Sequence, residues 1–203
     1  DSDRAFYDEM NRRLQSLNRG VRDVLFLNAQ NKQTIRRLVG PLRGIGIAAA
    51  AILDLDVVEE GGANWKALLD ACQVDDSRTP HLETERAYLS AAFSALPELA
   101  GGPRSIKTRG INALSPADKA RAEALLKELS AYGLFLVPVG ELESWLPSQG
   151  IRQHGPDWVV NIFSQIGQSE DDPNYLRPGD DDVWKFLDEI ADWVNNSKRL
   201  GTD

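Results

Sequence analysis

The stretch AAAAILDLDVVEEGG, residues 48–62, passes from small and branched apolar residues directly into two aspartates, Asp54 and Asp56. An apolar run without alternation is typical of a strand that is buried on both faces, as the strands of parallel sheets are. We predict this strand at residues 49–54. Because ligands of parallel α/β sheets bind at the carboxyl ends of the strands, the two aspartates are expected to face a binding crevice.

Further elements on both sides of this stretch predict an α/β fold. VLFLNA predicts another buried strand at residues 24–29, and the following NKQTIRRLVGPLR predicts a helix that is interrupted near Gly40 and Pro41. Strand, helix and strand within about thirty residues is the spacing of a parallel crossover unit. Helical patterns then continue to about residue 132, LFLVPV at 134–139 returns to strand, and the tail is helical again.

Composition and charge limit the classes of function. The chain has 203 residues, enough for one domain with a buried core, and its formal net charge is −8. A freestanding nucleic-acid-binding module usually carries a net positive charge, so this composition argues against one. It does not argue against a metal-dependent site, because such sites are themselves acidic. A single cysteine, Cys72, and the lack of a membrane-length apolar run lead us to expect a cytoplasmic protein without a membrane partner.

Acidic pairs follow two of the predicted strands. Asp54 and Asp56 repel each other when they are brought together, and a divalent cation removes that cost. Carboxylate oxygens with open water positions are what Mg²⁺ and Mn²⁺ prefer. Glu141 and Glu143 follow the later strand in VPVGELESWL, where Gly140 allows close approach of the backbone.

Structural roles remain open for these charged residues. Asp54 can cap the next turn and Asp56 can be solvated, while the two glutamates can complement the dipole of a helix. Asp3, at the start of the predicted first helix, is a further candidate ligand, although taken alone it is more typical of a helix cap. Lys32 and Arg36 share one face of the second predicted helix and are candidate nucleic-acid contacts, with a solvated helix face as the alternative.

Four segments together resemble the TOPRIM domain of OLD-family (overcoming lysogenization defect) nucleases, in which this domain usually follows an ABC-type ATPase. The segments are DSDRAFYDEMNRRL, LFLNAQNKQTIRRLVGPLRGIGI, AAILDLDVV and VPVGELESWL. The resemblance implies a TOPRIM-like Rossmannoid core with a small, mainly parallel sheet at residues 1–146. It further implies a helical insertion at about 63–132 and a C-terminal helical extension at 147–203 that packs on the core.

The resemblance also implies a metal-dependent nuclease. The family's metal site uses an E-G-x-x-D motif, a D-x-D motif and a later pair of glutamates. The matching residues, in motif order, are Asp3, then Asp54 and Asp56, then Glu141 and Glu143. All five would hold two Mg²⁺ or Mn²⁺ ions for two-metal phosphodiester hydrolysis, and the last four would form the catalytic set.

The same resemblance implies partners. The glutamate and glycine of the first motif would immediately precede Asp1, which implies a domain of a larger polypeptide with an N-terminal ATPase domain. We therefore expect DNA as the substrate, with RNA as an alternative, and homo-oligomerisation through the ATPase. A role in phage defence is implied by what such relatives do.

Two rival classes remain open. Haloacid-dehalogenase-like phosphotransferases have a D-x-D-x-[TV] motif that DLDVV also satisfies, and Asp54 would then be the nucleophile and Asp56 the acid/base. Their later acidic motif is poorly matched, because GDDDVW has Trp184 where the last acid is needed. The other rival is a non-catalytic TOPRIM-like domain that serves as an interaction platform for an ATPase.

Overall fold

The structure, a computed structural model, describes residues 2–97, 105–151 and 155–202. It is a mixed α/β fold, mostly helical, with a small sheet of two parallel strands. The helices and strands of these residues, in chain order, are α1 Ser2–Ser16, α2 Lys32–Gly44, β1 Ala51–Asp54, α3 Gly62–Ala71, α4 Thr79–Ser94, α5 Ser105–Thr108, α6 Pro116–Ala131, β2 Leu134–Val137, α7 Pro156–Gln165 and α8 Asp182–Asn195. Among these described helices, none has the length and apolarity that crossing a membrane requires.

The sheet pairs two segments that lie far apart in the sequence. β1 and β2 run parallel, with Asp54 of β1 opposite Val137 of β2. All of β2 is buried, whereas Asp54 at the end of β1 is exposed. The strands predicted at 49–54 and 134–139 are therefore confirmed, each two residues shorter than expected.

The strand predicted at residues 24–29 is wrong. The structure has no strand there, and residues Leu25 and Leu27 are 70% and 56% exposed. A strand requires hydrogen bonds to a neighbour, and in the described part of the chain β1 and β2 pair only with each other. The crossover expected before Asp54 is thus replaced by one that runs from β1 to β2 through the helices between them.

The interruption predicted in the second helix is also wrong. α2 continues to Gly44 and contains Pro41 in its last turn. A proline so close to a helix end removes one hydrogen bond while leaving most of the helix unaffected. The start of α2 is held by Asn31, whose side-chain oxygen accepts the Thr34 N–H at 2.9 Å.

The chain divides into two compact units. The smaller unit comprises Asp1–Asn28 and Glu143–Asn195, and it packs α1 against α7 and α8. In its core the rings of Phe6 and Trp158 meet edge to face, with their centroids 5.1 Å apart. No local pattern predicts that α1 joins these helices, because Ala29–Leu142 of the other unit separates them in the sequence.

The larger unit, Ala29–Leu142 with Asn196–Asp203, contains the sheet and helices α2 to α6. Its buried core includes large side chains from most of these elements, among them Leu53, Trp65, Leu69, Leu82, Leu129 and Leu136. The side chain of Arg43 lies in the same interior, and its guanidinium donates to the carbonyls of Ala49, Cys72, Tyr132, Gly133 and Gly201. Burial raises the pKa of the Cys72 thiol to about 11, so this thiol is not ionised at neutral pH.

Candidate functional site

Two of the segments that carry predicted metal ligands lie side by side at the carboxyl end of the sheet. β1 ends at Asp54, level with the last residue of β2. Beyond the sheet, the Leu55 N–H donates to the Gly140 carbonyl at 2.8 Å, so the two backbones remain paired for one more step. This bond sets Asp56 and Glu141 on neighbouring turns, as expected for side chains that share one crevice.

Gly140 is required at its position because two stretches of backbone meet there. Its φ is +114°, and a Cβ placed on it would lie 2.1 Å from the Lys107 carbonyl oxygen. Gly110 makes the reciprocal approach, since its Cβ would lie 2.0 Å from the Pro138 carbonyl oxygen. The segment that carries Lys107 is therefore held directly against the turn that carries Glu141.

Gly140→Ala is expected to destabilise the larger unit by at least about 3 kcal/mol, or to prevent its folding, because backbone strain and a steric clash add. Gly46→Ala is the matched control, since its φ is +81° but nothing lies within 4 Å of the position of its Cβ. The control should lose only about 1–2 kcal/mol from backbone strain. Urea unfolding followed by circular dichroism measures both losses, and equal values would contradict the close approach at Gly140.

Lys107 lies between the two acidic turns. Its Nζ is 3.4 Å from Glu141 Oε2 and 3.7 Å from Asp56 Oδ2, and these two carboxylate side chains are only 12% and 15% exposed. Burial lowers the pKa of Lys107, but the charges of Glu141, Asp56 and Asp54 outweigh it and raise that pKa above its ordinary value. One ammonium group therefore faces carboxylates from the ends of both strands.

Lys32 approaches the same aspartate from the start of α2. Its Nζ is 3.2 Å from Asp56 Oδ1 and 2.7 Å from Glu60 Oε1. Burial lowers the pKa of Lys32, but the bonds and charges of Glu60 and Asp56 raise it by more, so Lys32 stays protonated. Arg36 lies one turn further along α2 and lines a small cavity together with Lys32 and Glu60. Lys32, one of the two predicted nucleic-acid contacts, is therefore already paired with acidic side chains of the same chain.

Asp3 and Glu143, the other two predicted ligands, belong to the smaller unit. Asp3 lies in the first turn of α1, where burial and the charge of Glu143 raise the pKa of its carboxyl group. Glu143 Oε1 accepts the backbone N–H of Gly155 at 2.7 Å, at the start of α7. Glu143 therefore has a structural role at the N-terminus of α7.

The strand ends carry carboxylates but not a complete set of metal ligands. Asp54, Asp56 and Glu141 have carboxylate oxygens, the type of ligand that hard divalent cations prefer, and the ammonium group of Lys107 lies within 3.7 Å of two of these side chains. Within the residues that the structure describes, no group of three or more histidine, cysteine, aspartate or glutamate side chains is arranged to hold a metal ion. Asp56 faces a lysine with each of its two oxygens, Lys32 at 3.2 Å and Lys107 at 3.7 Å.

Two residues of this arrangement, Lys107 and Glu60, were not among the predicted site residues. Lys107 is 34 residues from Glu141 and comes from the helical insertion, in a segment without a recognisable motif. Glu60 is the last residue of the acidic run that begins at Asp54. This run is the feature of the sequence that could have identified Glu60 as part of the cluster. The two lysines and their acidic partners become visible as one cluster only in three dimensions.

Comparison with known proteins identifies no relative of this chain. No protein-family model, no curated protein and no solved structure matches it. The resemblance to TOPRIM domains therefore rests on the segments quoted above and stays a prediction. A function has to be proposed from the residues at the strand ends.

Proposed function

We propose that this chain is the TOPRIM-like catalytic domain of a metal-dependent nuclease related to the OLD family. The observation that carries the proposal is the position of Lys107, whose ammonium group lies 3.4 Å from Glu141 and 3.7 Å from Asp56. Carboxylates from the ends of two adjacent parallel strands are thus gathered around one positive charge. Such a gathering is what a cation-dependent site at the carboxyl end of a parallel sheet requires.

The acidic residues would bind metal ions rather than attack the substrate. Asp54, Asp56 and Glu141, which all belong to the larger unit, would hold Mg²⁺ or Mn²⁺ at the strand ends. Two such ions, when bound, supply an activated water and stabilise the leaving oxygen of a phosphodiester. The carboxylates hold the ions in place, and their own negative charge repels a substrate phosphate until the ions neutralise it.

The positive side chains around the site would contact the nucleic-acid backbone. A net charge of −8 means that phosphate binding depends on bound cations or on a local group of basic residues. Lys32 and Arg36 form such a group on α2, next to the acidic cluster. We expect DNA as the preferred substrate, RNA as the alternative, and an N-terminal ATPase domain in the same polypeptide.

Cleavage of a supercoiled plasmid by the full-length protein tests this proposal. The full-length protein is the appropriate sample because the proposal includes an ATPase domain in the same polypeptide. Nicked and linear products are expected in MgCl₂ or MnCl₂, and their formation should stop in EDTA. A labelled RNA of the same sequence, assayed in parallel, identifies the preferred nucleic acid. A folded protein that cleaves neither substrate in either ion would contradict the proposal.

A second candidate function, a non-catalytic interaction domain, is favoured by one observation. Both oxygens of Asp56 already face lysines, so part of the acidic cluster is neutralised by the chain itself. In that case the cluster would stabilise the fold, and neither Mg²⁺ nor Mn²⁺ would be taken up.

The phosphotransferase alternative, with Asp54 as nucleophile, requires a phospho-aspartate intermediate. Incubation with a phosphate donor, followed by trapping of the acyl phosphate, would detect that intermediate.

A further inference from the structure

We propose that the apolar run at residues 24–27 of one copy of this chain adds as a β-strand to the outer edge of β1 in a second copy. The inference concerns an interaction surface, and it depends neither on metal binding nor on the proposed nuclease function. Its basis is that the described part of each chain contains both a strand-like run and a sheet edge that lack a neighbouring strand. A second copy offers each of them a partner of matching chemistry.

The run at residues 24–27, VLFL, has the composition of a β-strand but none of its hydrogen bonds. In the part of the chain that the structure describes, the backbone N–H and C=O groups of these four residues form no hydrogen bond. Three of the four residues, Val24, Leu25 and Leu27, are exposed. Exposed apolar side chains on a backbone that lacks hydrogen-bond partners are the features by which a segment pairs with another chain.

The outer edge of β1 has the complementary feature. The Ala51 N–H donates to the Gly133 carbonyl at 2.9 Å, so Ala51 and Leu53 direct their backbone groups towards β2. The N–H and C=O of Ile52 consequently point away from β2, and the described chain has no third strand on that side. This edge is also more accessible than the edge of β2, because all four residues of β2 are buried whereas Ile52 and Asp54 are not.

The segment that leads into β1 is apolar and exposed as well. Ile45 and Ile47, between α2 and β1, are 74% and 48% exposed. Residues 44–53 carry no charge, and neither does the run at residues 24–27. Two chains that each have a net charge of −8 repel each other at long range, so a contact between them has to form through uncharged surfaces. The run and the approach to β1 are surfaces of this kind.

A second copy of the chain is the occupant because the two surfaces match in length and in chemistry. The run has four apolar residues, and β1 has four residues of which the first three are apolar. Addition of a strand pairs the backbone groups of both segments, and it brings the exposed leucines of the run close to the exposed isoleucines before β1. Every copy supplies both surfaces, so no other protein is needed for either of them.

Self-association of the 203-residue chain, measured by sedimentation velocity over a series of protein concentrations, tests this inference. We expect the mean mass to rise with concentration, and to rise further at high salt, because salt screens the repulsion between the acidic chains. Leu25→Lys in the run and Ile47→Lys before β1 should each weaken the association at least about 10-fold. Val160→Lys is the matched control, since Val160 is 68% exposed on α7 and its replacement should have no effect.

A mixture of Leu25→Lys and Ile47→Lys identifies which surfaces meet. The Leu25→Lys protein keeps an intact β1 edge, and the Ile47→Lys protein keeps an intact run, so one contact between them is retained. We expect the two proteins to associate with each other at a concentration at which each alone is monomeric. A fluorescent label on one of them reports this association, and circular dichroism shows that every variant is folded.

Each outcome decides the inference. Association that both lysine substitutions weaken, and that returns in the mixture, supports it. A parent chain that stays monomeric at every concentration overturns it, and so does association that Val160→Lys weakens as much as Leu25→Lys. Loss of association in both variants without recovery in the mixture also overturns it, because the run and β1 would then not be each other's partners. DNA cleavage is measured separately, so none of these results alters the proposed function.

Discussion

Glu141→Gln and Asp56→Asn, each made in the full-length protein, are expected to lower the rate of metal-dependent DNA cleavage by at least about 100-fold. Each change replaces a carboxylate oxygen by an amide group of nearly the same shape, and so removes the negative charge that a divalent cation requires. The two residues follow different strands and lie close to the same lysine, so we expect losses of similar size. Asp54→Ala should abolish cleavage for the same reason.

The losses should arise without unfolding. Glu141 and Asp56 are partners of Lys107, and an amide still accepts a hydrogen bond from an ammonium group. Asp70→Asn is the control, since it neutralises an exposed carboxylate paired with Lys66 on α3. Initial rates of plasmid nicking, together with thermal unfolding of each variant, provide the measurement. Cleavage at the parent rate by Asp56→Asn and by Glu141→Gln would mean that the strand ends are not the catalytic site.

Arg43→Met is expected to destabilise the larger unit by about 3–5 kcal/mol. Arg43 is 1% exposed, and its guanidinium donates to five backbone carbonyls, three of them at or near the ends of distant segments, Cys72, Tyr132 and Gly201. Methionine fills a similar volume but donates no hydrogen bond. Buried carbonyls that lose their donor carry the full cost of desolvation.

We expect that Arg43→Met also detaches the segment around Gly201 from the larger unit. Gly201 lies so close to Arg43 that a Cβ on it would be 2.7 Å from a guanidinium nitrogen, and the bond to its carbonyl is 2.9 Å long. Cys72 is fully buried beside the same guanidinium, so its reaction with a thiol reagent reports opening of this region. We expect faster reaction in Arg43→Met than in the parent protein.

Arg37→Met is the control for the Arg43 prediction. Arg37 lies on the same helix but is exposed, so its replacement should change the free energy of unfolding by less than about 0.5 kcal/mol. Urea denaturation gives this free energy for both variants. Equal stability of Arg43→Met and Arg37→Met would show that the guanidinium does not hold these segments together.

Local patterns predicted the elements whose causes are local. Two of the apolar runs form β1 and β2, and the helix that begins at Pro116 has a local cap, in which the Ser115 hydroxyl accepts the Asp118 N–H at 3.2 Å. The prediction of a strand at residues 24–29 was wrong, although the apolar residues of this run match the pattern of a buried strand. Its hydrogen bonds, however, depend on a neighbour that no local pattern identifies.

By itself, the sequence identified the two buried strands that carboxylates follow, because apolar runs and polar turns are properties of consecutive residues, but it also predicted a third strand at residues 24–29 where the structure has none. Only the tertiary structure decided that the two strands are direct neighbours, and that Lys107 from the helical insertion lies between Asp56 and Glu141. The physical reason is that contacts between distant segments arise from the packing of whole elements, as at the close approach of Gly140 to the backbone of Lys107. No spacing of residue types along the chain encodes such a contact.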